Sequence, residues 1–78
     1  MWYIVASNGI IEINKGDVVT IVTNNRVITG EVLYANWIDA DNGWHIGLVN
    51  TGTGLYTLWK QGISGGEVVK INEKTVLM

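Results

Sequence analysis

The chain has no cysteine, no proline and a single histidine among its 78 residues, and each shortage removes a way of holding a small domain together. Without Cys no disulfide staples the fold, and one His with no thiolate cannot complete a structural zinc site. Without Pro, exposed strand edges lose one device that removes a backbone donor. Charge is scarce as well. Five basic residues against seven acidic ones leave a net charge of −2, so no long-range positive field gathers nucleic acid, and any such binding must be local. No apolar run approaches the roughly 20 residues of a membrane helix, and the opening MWYIVASNG is too short for a signal segment and has no basic residue before it. A soluble, unprocessed chain is expected, and the missing thiols point to the cytoplasm.

At this length only about 60–65% of the unfolded chain's surface can be buried, which leaves a thin margin of stability. With staples and metals excluded, self-association is the remaining supplement. No helical periodicity, repeat or low-complexity tract is present.

Four Trp, three Tyr and ten Gly fit a turn-rich β protein. The organising stretch is residues 15–35, KGDVVTIVTNNRVITGEVLYA, which reads as two β-branched strands. Asn24-Asn25 joins them, and Asn's tolerance of positive φ predicts a two-residue primed turn there. Gly30 interrupts the second strand and predicts a sharp bend or the close approach of another strand. A long, bent hairpin in so short a chain predicts a small closed all-β barrel. Before it, residues 2–6 and 10–14 flank Ser7-Asn8-Gly9, a strong hairpin signal. One domain over 1–78 follows, with an extra N-terminal hairpin (1–14) and a barrel core (16–72). Residues 35–43 read as the longest loop, with strands at 44–49, 55–61 and 67–72 and one more short strand in 74–78.

His45 has no carboxylate or nucleophile at a convincing spacing, so it reads as a structural or surface residue and the chain as no enzyme. Residues 39–43 begin like a calcium loop, but Gly43 stands where the fifth ligand belongs and Asn50 where the bidentate Glu belongs, so they read as a turn. Ser64-Gly65-Gly66 runs into Glu67 and is no phosphate loop. No cofactor or metal is expected.

Two further stretches act together. Val18-x-Thr20-x-Val22-x-Asn24-Asn25-Arg26-x-Ile28-x-Gly30-x-Val32 and Ile63-Ser64-Gly65-Gly66-Glu67-Val68-Val69-Lys70-Ile71 resemble, in order and spacing, the two signatures of the Sm-like (Lsm/Hfq-like) family of small RNA-binding barrels. Asn25 stands where that family has Gly and Ser64 where it has Arg. The resemblance implies a five-stranded Sm-like or SH3-like barrel assembled as a homo-oligomeric ring, here of about five to seven subunits, that binds short single-stranded RNA. It implies ring closure between the fourth and fifth barrel strands of neighbouring subunits, through Leu55, Thr57, Trp59, Val69 and Ile71. Single-stranded bases need stacking faces and a few hydrogen-bond donors, which Asn36, Trp37 and Asn42 in one loop and Ser64 and Gly65 in another could supply. Lys60 and Arg26 are candidates for phosphate. The plainer reading has Trp37 capping the barrel core and the Asn residues shaping turns, and a β-barrel scaffold or protein-interaction module of phage or mobile-element type, without nucleic acid, is the competing function.

Overall fold

The computed structural model describes residues 1–6 and 9–75. It is all-β. β1 (Trp2–Ala6) and β2 (Gly9–Ile13) form a two-stranded hairpin. β3 (Val18–Val22), β4 (Val27–Ile38), β5 (Gly43–Val49), β6 (Tyr56–Lys60), β7 (Glu67–Ile71) and β8 (Lys74–Thr75) form one antiparallel sheet in the order β6-β5-β4-β3-β7-β8. Between β4 and β5 lies a single 3-10 turn, Asp39–Asp41, and between β6 and β7 a one-turn helix α1, Gln61–Ser64.

β4 is the axis of the sheet, and it changes partner along its length. Its first part pairs with β3 from Val22↔Val27 to Val18↔Glu31, and its second part pairs with β5 from Glu31↔Val49 to Ile38↔Gly43. Glu31 alone is laddered on both sides. Gly30 stands next to this handover. A Cβ there would lie 3.0 Å from the Val49 carbonyl oxygen and 3.1 Å from Leu48 Cβ, so only glycine lets β5 come in at that angle.

Alternation places the core. Val19 and Ile21 of β3 point inward, as do Ile28 and Val32 of β4. A register shift between Val32 and Tyr34 then moves the inward position to Ala35, which lies in one cross-strand row with Ile46 and Trp59. Leu48 and Val68 join this cluster, and Ile4 and Ile13 enter it from the N-terminal hairpin. Each buried Val, Ile or Leu of this cluster contributes about 1.5–3 kcal/mol by leaving water.

Several expectations are corrected. The sheet is not closed, because the helical turn α1 stands between β6 and β7, and β8 pairs with Lys70 and Ile71 on the outer edge of β7. Residues 35–38 are strand, not loop, so the connection to β5 is little more than the 3-10 turn. The chain also contains the helical turn at Gln61–Ser64. The turn between β3 and β4 falls at Asn24-Asn25, yet neither residue has positive φ. Thr23, buried, explains this: its N–H donates to the Arg26 carbonyl (2.9 Å), and its Oγ1 accepts the Arg26 N–H (3.2 Å), replacing the second backbone bond of a primed turn. The centre of the Ser7-Asn8-Gly9 turn and residues 76–78 of the expected last strand lie outside the described residues.

Candidate nucleic-acid interface

The end of the β4–β5 ladder carries the chain's aromatic pair. Trp37 and Trp44 face each other across the strands, centroids 5.9 Å apart and planes at 77°, an edge-to-face contact. Trp44 packs against the core. Trp37, one inward position beyond Ala35, has run out of core to cover it and is 48% exposed. Its Nε1–H donates to Asp39 Oδ1 at 2.6 Å. One edge of the indole is thus held by a carboxylate and the ring is braced by Trp44, which leaves a face for contact. A ring already fixed in this way loses little side-chain entropy when a flat group stacks on it.

The 3-10 turn that supplies Asp39 is itself anchored. Asn42 caps it with φ 50° and donates its N–H to the Asp39 carbonyl at 3.1 Å. Gly62 of α1 sits so near the Asp41 carbonyl that any side chain at position 62 would collide with it. Asp41 Oδ2 lies 2.6 Å from His45 Nε2. His45 therefore has a carboxylate partner four residues earlier, which spacing alone did not reveal. Among the described residues no hydroxyl is bonded to that pair, and no cluster of three or more His, Asp or Glu side chains is placed to hold a metal ion.

The expected site residues do not form one surface. Asn36, His45 and Lys60 make a cross-strand row directly beside the core row of Ala35, Ile46 and Trp59, so they point to the opposite face of the sheet from Trp37. Asn36 and Asn42 are exposed and Lys60 is half-buried. Ser64 is exposed at the end of α1. Gly65 packs beside the Asn24 side chain, and its carbonyl accepts the Trp59 Nε1–H at 3.0 Å. Arg26 stands at the start of β4, beyond the other end of the β4–β5 ladder from Trp37.

Of the expected interface residues, Leu55 is 68% exposed and Thr57 half-buried at the edge strand β6. Trp59, 1% exposed, fills the core of its own chain, so only its backbone lies on that edge. Val69 is the residue skipped where β7 shifts register against β3, and Ile71 packs against the core. On the outer face the Tyr34 and Tyr56 hydroxyls are bonded to each other, and this bond is the main reason the Tyr56 phenol is raised above its ordinary 10.0.

No family model, curated protein or solved structure matches the chain. No helix among the described residues is long and apolar enough to cross a membrane.

Proposed function

We propose that the chain is a non-enzymatic, cytoplasmic RNA-binding module of Sm-like type, working as a homo-oligomeric ring of about five to seven subunits, in which unpaired bases stack on Trp37. The observation that carries this reading is the exposed indole, braced by Trp44 and pinned by Asp39 at the tip of the ladder. Its N–H is already engaged, so recognition uses the ring face and is tolerant of base identity. Asn42, which caps the turn that holds Asp39, offers an exposed carboxamide to a base edge. Assembly is supported by the edge strand β6, which among the described residues pairs only with β5, carries exposed Tyr56 and is followed by exposed Ile63. Because β8 occupies Lys70 and Ile71, pairing of β6 with a neighbouring subunit's β7 is confined to the residues before Lys70.

One observation favours the scaffold reading instead. Asp39 holds the indole N–H and Asp41 lies in the same 3-10 turn, and phosphates near that turn meet like charge. Under the RNA reading the phosphates stay outside this rim, so affinity is weak to moderate and depends little on salt. Fluorescence anisotropy with short U- or A-rich single strands at two salt concentrations tests this. Binding at tens of micromolar with a shallow slope is expected, and no binding there favours the scaffold. A monomer in light scattering at micromolar concentration contradicts the ring.

A further inference from the structure

The handover of β4 at Glu31 leaves a cleft of about 290 Å³ between the first residues of β4 and the segment that joins β5 to β6. Its walls include Arg26, Val27 and Thr29 on one side and Asn50, Leu55 and Thr57 on the other. The far wall is ordered: Asn50 Oδ1 accepts the N–H groups of Gly52 (2.9 Å) and Thr53 (3.0 Å), and Asn50 N–H donates to the Leu55 carbonyl (2.9 Å).

Two features of the near wall define what it would take. The first is backbone. Thr23 and Arg26, and at the other end Asp17 and Val32, are directly hydrogen-bonded pairs of the β3–β4 ladder. Antiparallel alternation then makes Ile21–Ile28 and Val19–Gly30 bonded pairs as well, and it turns the N–H and C=O groups of Val27 and Thr29 away from β3. At Glu31 the groups so turned meet β5. At Val27 and Thr29, β5 has already ended, and among the described residues no hydrogen bond reaches these outward backbone groups, the Thr29 hydroxyl bonding only Thr20 across the β3–β4 ladder. This is a short stretch of sheet edge at the floor of a cleft. The second feature is charge. Arg26 is the only arginine in the sequence, its guanidinium has no acidic partner among the described residues, and no residue lining the cleft is acidic.

We propose that this cleft binds a short extended peptide segment bearing an acidic side chain. The peptide backbone adds as a strand to Val27 and Thr29, the carboxylate meets Arg26, and an alternate side chain lies on Leu55. The cleft is open to solvent rather than enclosed, so nothing there requires the peptide to end, and a side-chain carboxylate is the source of charge. The site is separate from Trp37 and does not depend on RNA binding.

The test uses amide hydrogen exchange and chemical shifts of the full ¹⁵N-labelled chain. Without peptide, the amides of Val27 and Thr29 should exchange quickly while that of Ile28, between them, is protected. Adding acetyl-Val-Thr-Glu-Val-Thr-amide to about 2 mM, enough to detect millimolar affinity, should shift and protect Val27 and Thr29. The Gln analogue with the same caps, or the Arg26→Gln protein with the Glu peptide, should bind about fivefold to tenfold more weakly. A Gln peptide with a free carboxyl terminus reports on a terminal carboxylate as the source of the charge. Three outcomes would overturn the proposal: equal binding of Glu and Gln peptides, tighter binding of the free-terminus peptide, or shifts confined to other residues or absent. Concentration-dependent protection of Val27 and Thr29 without peptide would put a second copy of the chain there instead and would also overturn it.

Discussion

The two ends of β4 have opposite characters although one strand makes both. At its far end, where it is laddered to β5, it presents Trp37 beside the Asp39 carboxylate. At its near end, laddered only to β3, it presents a guanidinium and two backbone edges with no ring nearby. A flat, weakly charged group suits the first and an extended, acidic one the second. The difference comes from a single event, the change of partner at Glu31, which stops each ladder where the other begins. A short chain thereby gains two chemically distinct surfaces from one bent strand.

The largest effect that separates the two ends is in stability. Beneath the far end runs the row Ala35, Ile46 and Trp59, and Trp59 also donates to the Gly65 carbonyl. Trp59→Ala should lower the unfolding free energy by about 3–5 kcal/mol in urea denaturation, because it leaves a large cavity in a core this small. Leu55→Ala, at the exposed wall of the cleft, should change it by less than about 0.5 kcal/mol. Similar losses for both would mean that the cleft wall is packed as core.

Gly30→Val probes the handover itself. The added side chain presses on the Val49 carbonyl and Leu48, and overpacking of this kind costs about 1–3 kcal/mol. The same denaturation series measures it, and a neutral result would show that β5 need not approach β4 so closely.

The smallest effect is on the outer face. The Tyr34 hydroxyl bond, with minor help from burial, holds the proton on Tyr56, so one tyrosine should ionise above the ordinary range in an ultraviolet titration, and Tyr34→Phe should return it. Since the folded value is the higher one, whatever stability the pair contributes is complete below the unfolded value of about 10 and is lost as pH rises through the folded value.

What the sequence made legible follows the range of the interactions involved. The N-terminal hairpin and the strands around Asn24-Asn25 are set by near neighbours, and β-branched runs such as Val18 to Val22 state them directly. Gly30 was legible as an interruption of its strand, although what requires glycine there is the distant pair Leu48 and Val49. The turn type was hidden because a side chain, Thr23 Oγ1, takes the Arg26 amide. The strand over residues 35–38 was hidden because the shift at Leu33 moves the inward position from Val32 to Ala35 and breaks the period-2 pattern. α1 is one turn long and leaves no periodic trace. For the candidate site, Trp37 was legible as a ring in a polar setting. That Lys60 belongs to the opposite face was not, since it depends on register across three strands. The pairing of His45 with Asp41 needed the 3-10 turn, and the cleft needed the partner change at Glu31.

The measurement that bears most directly on the proposed function compares the two ends of β4 in one binding assay. Titrating a fluorescein-labelled U- or A-rich single strand with Trp37→Ala and Arg26→Gln proteins, both checked for unchanged folding, asks which end holds RNA. Loss of one stacking platform should weaken binding by about 1–3 kcal/mol, roughly fivefold to 150-fold, for Trp37→Ala, with less than about a twofold change for Arg26→Gln. The reverse order, with Arg26→Gln the more damaging, would contradict the account and assign RNA to the charged end of the strand.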